Sequence, residues 1–172
     1  MLIVRPADID DAPAIARVHV DAWQAAYRGI VPQHYLDSLT VQQRTLRWIR
    51  LLEHGSDLIT LVSEDHEGRI VGFATGGPNR RRDDNFQAEI SSLYVAPRAQ
   101  RRGHGKRLLL AAANRLHRLE LKGLLIWVLA DNPSRTFYQV MGGEPIAETL
   151  RDFAGESLKE IGYGWRETPF YD

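Results

Sequence analysis

"QRRGHGKRLLLAA", residues 100–112, is the stretch that decides the fold. Gly103 and Gly105 stand inside a cluster of Arg and Lys, and a run of leucine and alanine that predicts a helix follows at once. Glycine opposes helix formation by about 1 kcal/mol relative to alanine, and crowded like charges repel each other. A bound anion would offset both effects, because glycine lets it approach the backbone and a helix N-terminus favours negative charge. The stretch therefore predicts a phosphate-binding loop.

Two widespread phosphate loops do not fit this stretch. A P-loop needs Ser or Thr where Arg107 stands, and a dinucleotide fingerprint needs glycine where Leu108 stands. The pattern [Q/R]-x-x-G-x-[G/A] does fit, through Gln100, Gly103 and Gly105, and it follows a predicted strand that ends in "LYVAP". A solvated basic loop with a glycine turn is the alternative interpretation.

The composition is that of an ordinary globular protein. Of 172 residues, 44% are hydrophobic and 26% charged, which predicts one domain over residues 1–172. The basic and acidic residues, 22 of each, balance, which disfavours broad binding to nucleic acid or a membrane surface. The lack of cysteine excludes disulfides, thiolate metal sites and cysteine nucleophiles, and the six histidines show no metal-site spacing. Because the N-terminus does not resemble a signal peptide and no apolar run approaches the roughly 20 residues that cross a bilayer, we expect a cytoplasmic protein.

Hydrophobic patterns and turn signals predict a mixed α/β fold. The predicted order is β-α-α-β-β-β-α-β-α-β-β, with strands near 2–5, 57–64, 68–77, 88–96, 123–130, 144–150 and 158–166. Leu39, Leu46 and Ile49 recur at helical spacing and predict the second helix. The strand–helix–strand unit over residues 88–130 should be parallel and right-handed.

The loop and its surroundings resemble the GNAT superfamily of N-acetyltransferases, and the similarity covers almost the whole chain. The pattern at 100–105 resembles the acyl-CoA loop of that superfamily, and "DNPSRTFYQVMGG" (131–143) is similar to its N-x-x-x-x-F-Y-x-x-x-G segment. The resemblance implies an α/β fold with a mixed, mostly antiparallel twisted sheet of about seven strands. About four helices would flank the sheet, around a central parallel β-α-β unit that binds acyl-CoA. Gly143 departs from the pattern, because members often have phenylalanine there.

The resemblance also implies a reaction. An acetyl group would pass from acetyl-CoA, as cosubstrate and without a metal, to a primary amine of a small molecule or peptide by direct attack in a ternary complex. Tyr138 falls where many members keep a tyrosine near the CoA sulfur, and it would protonate the leaving thiolate. Glu89, eleven residues before Gln100, matches the general base of some members, although it could instead bind the substrate cation or pair with an arginine. Strand alternation would place Glu89 on the same face as Leu93 and Val95.

Other candidate residues border these positions. A backbone N–H near Leu93 to Val95 could hold the oxyanion if the serines at 91–92 carry a bulge. His104 should face solvent with its N–H near phosphate, while Trp23 and Tyr27 either wall the acceptor pocket or cap the core. The predicted cofactor-binding residues are Leu93, Tyr94, Val95, Gln100, Arg101, Arg102, Gly103, His104, Gly105, Lys106, Asn132 and Tyr138. The predicted substrate-binding residues are Trp23, Tyr27 and Glu89.

Three classes of function remain open at this point. The first is the enzyme, the second a catalytically silent acyl-CoA-binding sensor or scaffold of the same fold, and the third a nucleic-acid binder, which the zero net charge disfavours. Small amines, polyamines, amino acids, aminoglycoside-like antibiotics and protein amines all stay open as acceptors. The triplet Arg80–Arg82 is interpreted as a solvated loop, with contact to an acidic acceptor or to the adenosine 3′-phosphate as the alternative. A homodimer is also open, since members of the superfamily are often dimers.

Overall fold

The helices and strands follow the chain in the predicted order, in a computed structural model that describes residues 2–167. The strands are β1 (Ile3–Pro6), β2 (Ile59–Glu64), β3 (Ile70–Pro78), β4 (Ala88–Val95), β5 (Leu124–Leu129), β6 (Glu144–Phe153) and β7 (Glu156–Trp165). The helices are α1 (Ala12–Ala26), α2 (Gln33–Asp37), α3 (Val41–His54), α4 (His104–Arg118) and α5 (Arg135–Val140). Helix α2 was not predicted, because five residues are too few to show a helical period.

All seven strands belong to one sheet, in the order β1-β2-β3-β4-β5-β7-β6. Neighbouring strands are antiparallel except for β4 and β5, which are parallel and are joined through α4. The predicted mixed, mostly antiparallel sheet with a central parallel unit is thereby confirmed.

The helices cover both faces of the sheet. Helix α4 buries its leucine and alanine stripe against one face, which we call the α4 face. Helices α1 and α3 pack on the opposite face, the α1 face, where Trp48 of α3 contacts Phe73 of β3. Of the three residues whose spacing predicted the second helix, Leu39 precedes α3 and Leu46 is 54% exposed, while Trp48 turns inward.

Strand β4 is irregular at one position. Ile90 pairs with Gly76 and Ser92 pairs with Thr75, so Ser91 is an extra residue in β4. Such a bulge reverses the alternation of side chains along the strand. The expectation that Glu89 shares a face with Leu93 and Val95 is therefore wrong. Those two residues lie on the α4 face, whereas Glu89 lies on the α1 face.

Strands β4 and β5 separate soon after they begin to pair. Their parallel ladder consists of Ala88 with Leu124 and Glu89 with Leu125. Beyond these pairs the two strands line opposite walls of a cleft of about 570 Å³. The opening lies at the centre of the sheet, directly in front of the N-terminus of α4.

Candidate active site

One wall of the cleft is the backbone of β4. The Ala96 N–H donates to Val71 O on β3, at 2.8 Å. Because N–H groups alternate between the two edges of a strand, those of Leu93 and Val95 point the other way, toward the cleft. The Gln100 side chain follows the same geometry, since its Nε2 donates to Val95 O at 3.2 Å. The cleft wall thus offers free backbone donors at the position where the sequence predicted them.

The start of α4 forms a cradle for an anion. Gly103 is the residue before the helix and has a φ of 89°, in the left-handed region that suits glycine. The first bond of the helix runs from Arg107 N–H to Gly103 O at 3.1 Å, so the helix does not use the N–H groups of residues 104–106. Gly103, Gly105 and Lys106 line the cleft. Free donors, the helix dipole and adjacent Arg and Lys side chains fit the diphosphate of coenzyme A.

His104 occupies a different position from the predicted one. Its side chain is 2% exposed, and its Nδ1 lies 2.7 Å from Ser63 Oγ of β2. Burial lowers the pKa of His104, so the imidazole is neutral near pH 7. The expectation of a solvent-facing ring is wrong, because α4 begins at His104 and turns this side chain into the core. The ring anchors the cradle to β2, while the backbone N–H of His104 stays within the cradle.

Tyr138 lies on α5 at the inner end of the cleft. Its ring stacks on Tyr163 of β7, with the centroids 5.9 Å apart. Burial raises the pKa of the Tyr138 phenol, so it stays protonated at neutral pH. Asn132 holds the start of α5 through a bond from Ser134 N–H to its Oδ1, at 2.8 Å, and donates from Nδ2 to Tyr27 Oη at 3.3 Å.

The neighbouring candidates Tyr27 and Trp23 differ in their position relative to the cleft. Their rings are in edge contact, with centroids 4.7 Å apart, and both residues are buried. Tyr27 also lines the cleft, where burial raises its pKa. Trp23 lies outside the cleft lining and packs in a cluster with Leu129 and Phe153. The geometry favours the core-capping interpretation for Trp23 and the wall interpretation for Tyr27.

Glu89 is paired with an arginine, which was the alternative to its role as a base. Glu89 is buried, with 3% of the residue exposed, and the Arg80 side chain donates a hydrogen bond to each of its two carboxylate oxygens. Arg81 places its Cζ 4.1 Å from the ring centroid of Trp127, on the cleft wall formed by β5. All three arginines of 80–82 are exposed, as the interpretation as a solvated loop expects, but the first two also contact Glu89 and Trp127.

Most of the predicted site residues come together around the cleft. Those that line it are Tyr27, Leu93, Tyr94, Val95, Gln100, Arg101, Gly103, Gly105, Lys106, Asn132 and Tyr138. Glu89, Trp23, Arg102 and His104 are outside this lining. Sequence reasoning missed the β5 wall, residues 126–128, and Phe137, whose ring faces Gly105. The neighbouring Phe-Tyr pair of the recognised segment is the signal that could have identified Phe137.

Residues 2–167 show neither of two other kinds of functional feature. No group of three His, Asp or Glu side chains in this part of the chain is arranged to hold a metal ion. None of its helices is long and apolar enough to span a membrane.

Comparisons with known proteins identify a family and several N-acetyltransferases that this chain resembles. Residues 20–142 match the family model described as the acetyltransferase (GNAT) family. The uncharacterized N-acetyltransferase YuaI of Bacillus subtilis is 36% identical over 165 residues, which cover 96% of this chain and 93% of that protein. The phosphinothricin N-acetyltransferase of Streptomyces viridochromogenes is 28% identical over 97% of this chain and 87% of its own length. The crystal structure of PaiA N-acetyltransferase from Thermoplasma acidophilum in complex with coenzyme A has a TM-score of 0.69 at 20% identity, covering 94% of this chain and 98% of that one.

Proposed function

The chain belongs to the acetyltransferase (GNAT) family as an acetyl-CoA-dependent N-acetyltransferase, and we propose that it acetylates a primary amine by direct attack in a ternary complex. The observation that carries this proposal is the continuous cleft from the free N–H groups of α4, past the open edge of β4, to Tyr138. A route through an acetyl-cysteine is not available, because the sequence contains no cysteine.

Binding of acetyl-CoA depends on the cradle. The N–H groups of residues 104–106 would donate to the diphosphate, with Arg101 and Lys106 supplying positive charge at the same cleft wall. Gln100 would keep the β4 edge in place through its bond to Val95 O. These contacts would place the thioester within the gap between β4 and β5.

The backbone of β4 would stabilise the charge that forms on the acetyl oxygen. When the amine nitrogen attacks the carbonyl carbon, the oxygen becomes negative, and a fixed N–H donor is worth about 3–4 kcal/mol to the transition state. The N–H groups of Leu93 and Val95 face the cleft and are not needed by β3, which makes either of them the candidate donor.

Proton movements complete the transfer. An alkylammonium has a pKa near 10, so the acceptor must lose a proton before or during attack, and Glu89 would accept it through a water molecule. The bond from carbon to sulfur then breaks as the nitrogen loses its second proton. The leaving thiolate would take a strong hydrogen bond from Tyr138, or a proton that the phenol regains from that nitrogen. Because burial raises the pKa of Tyr138, a hydrogen bond that stabilises the developing thiolate is the larger part of this contribution.

Two measurements separate this enzyme from a silent acyl-CoA-binding module. Thermal unfolding with acetyl-CoA tests binding, since a ligand at about 100 times its Kd adds about 2.7 kcal/mol of stability. Release of CoA thiol then tests chemistry, with leucine, leucinamide, 3-methylbutylamine, putrescine and a short peptide as amines. Leucine and its two matched analogues are included because Arg81, which packs on the cleft-lining Trp127, could recognise a carboxylate. Stabilisation without thiol release from any amine would favour the module, and no stabilisation would contradict both functions.

A further inference from the structure

The buried carboxylate of Glu89 is fully engaged by a residue of the loop between β3 and β4. Arg80 Nη2 donates to Glu89 Oε1, Arg80 Nε donates to Oε2 at 3.1 Å, and the backbone N–H of Arg80 also donates to Oε2 at 3.2 Å. With these donors in place, neither an acceptor ammonium nor a bridging water has free access to the carboxylate. The closed pair is therefore incompatible with the role of Glu89 in the proposed reaction.

The two partners differ greatly in their exposure to solvent. The side chain of Arg80 is 72% exposed, whereas that of Glu89 is 4% exposed. An exposed guanidinium regains its hydration when it leaves the pair. The buried carboxylate cannot regain water in this way and needs another cation in place of Arg80. In this pair another cation can therefore replace Arg80, while the buried Glu89 carboxylate stays in place.

The base of the loop does not have to move for this exchange. Asn79 is buried and donates from Nδ2 to Phe86 O at 2.7 Å, which ties the two ends of the loop together. Its Oδ1 accepts from the Arg81 N–H at 2.9 Å. Rotation of the Arg80 side chain is enough to free Glu89 Oε1 and to leave the backbone N–H of Arg80 as the only one of these three donors on Oε2.

Other charges on the same face keep this region balanced. Glu160 of β7 pairs with Arg151 of β6 at 3.3 Å, and its charge also acts on Arg80. Arg81 covers Trp127 beside the cleft. A displaced Arg80 side chain therefore remains near a second carboxylate while its first partner is occupied by another cation.

We propose that Arg80 is a positioning residue that holds the place of the acceptor's ammonium group on Glu89, so that the acceptor binds by displacing it. This inference rests on the proposed function and adds to it that the acceptor enters as a cation. Its apparent affinity is reduced by the fraction of time for which the pair is closed. Removal of the guanidinium should remove this competition without changing the binding of acetyl-CoA at the cradle.

The test compares Arg80→Gln with the wild type and with Arg82→Gln, a matched change at an exposed residue of the same loop. With 3-methylbutylamine and putrescine as acceptors, Arg80→Gln should lower KM for the amine by about threefold to tenfold, as expected for a competent fraction of about a third to a tenth. The kcat value and KM for acetyl-CoA should stay within about twofold, and Arg82→Gln should match the wild type. Arg80→Lys, which keeps one charge but loses the fork, should give an intermediate KM.

A double-mutant cycle shows whether Arg80 acts through Glu89. In a Glu89→Gln background, Arg80→Gln should have no effect on KM for the amine, because there is no carboxylate left to expose. A KM for the amine that is unchanged or higher in Arg80→Gln would overturn the inference, since it would make Arg80 either irrelevant or a direct contact of the acceptor. A change that persists in the Glu89→Gln background would overturn it as well.

A binding measurement keeps this test separate from that of the reaction. Calorimetric titration of 3-methylbutylamine into the CoA-saturated protein compares the wild type with Arg80→Gln without any turnover. Tighter binding to Arg80→Gln supports displacement even if no thiol release is found, in which case only the proposed reaction fails. Equal or weaker binding contradicts displacement whether or not the enzyme is active.

Discussion

Alanine substitutions of the two cradle glycines should change stability in opposite directions. Gly103 has a φ of +89°, and a Cβ built on it would lie 3.5 Å from Leu2 Cδ1, so space is not the obstacle. The left-handed backbone itself costs an L-residue about 1–2 kcal/mol. Gly105 lies within α4, and its Cβ would meet Phe137 Cζ at 3.6 Å and Val95 Cγ2 at 3.8 Å, which are ordinary contacts. Alanine there should gain about 0.5–1 kcal/mol from helix propensity and from a less flexible unfolded chain.

Thermal unfolding converts these free energies into measurable shifts. For a protein of this size, 1 kcal/mol corresponds to about 2–4 °C in Tm. Gly103→Ala should therefore lower Tm by about 2–8 °C, and Gly105→Ala should raise it by about 1–4 °C. Shifts of the same sign in the two variants would refute the assignment of the left-handed residue before the helix.

Addition of coenzyme A tests the functional part of the same reasoning. At about 100 times the wild-type Kd, the ligand should stabilise the wild type by about 2.7 kcal/mol. If the change at Gly103 moves the free N–H groups and weakens binding tenfold, the stabilisation falls to about 1.4 kcal/mol at the same concentration. Gly105→Ala should keep most of the wild-type effect. Equal stabilisation of Gly103→Ala and the wild type would contradict a diphosphate cradle at this helix end.

Three further predictions follow from single residues. Tyr138→Phe should reduce kcat for thiol release by about 10- to 1000-fold with an unchanged KM for acetyl-CoA, and unchanged turnover would remove the phenol from the mechanism. Burial lowers the pKa of His19 from 6.5 to about 3, so the unfolded chain binds more protons than the native protein between these pH values. The free energy of unfolding should fall by about 1.4 kcal/mol per pH unit as the pH drops through that window. His19→Gln keeps an acceptor for Trp48 Nε1 and should lose this slope. Equal slopes for the variant and the wild type in urea unfolding would contradict the burial of a neutral His19. Ala154→Asn should raise the free energy of unfolding by about 0.5–1 kcal/mol without affecting activity. Ala154 has a φ of 53° in the β6–β7 turn, a conformation that asparagine tolerates better than alanine. An unchanged Tm would argue against that turn geometry.

The cradle could be predicted from the sequence because its determinants are local. A strand, a glycine with positive φ and a helix start lie within a few residues of one another, and each leaves its own signature. The side chain of His104 could not be placed in the same way. Its direction depends on Ser63, 41 residues away, which offers a hydrogen bond inside the core.

The structure gives a physical reason for the glycine at position 143, where the expected pattern often has phenylalanine. A Cβ at this position would lie 2.6 Å from Trp165 Cζ2 and 2.9 Å from Tyr138 O. The indole of Trp165 also donates to Met141 O at 2.9 Å, which fixes the ring over the end of α5. Trp165 therefore takes the space that a larger residue at 143 would need, a relation between distant residues that no local pattern could reveal.

The bulge at Ser91 is what allows a carboxylate at position 89. If Ser91 paired in regular register with the pairing of residues 92–95 kept, the alternation along β4 would turn Glu89 to the α4 face, toward the apolar cluster that contains Leu116. A buried carboxylate without a partner costs several kcal/mol, and Arg80 could not follow it through the sheet. The extra residue instead turns Glu89 to the α1 face, within reach of Arg80, while the N–H groups of Leu93 and Val95 beyond it face the cleft. The bulge thus sets the face of the anion proposed to receive the amine, while the regular pairing of residues 92–95 keeps the donors for the acetyl oxygen directed toward the cleft.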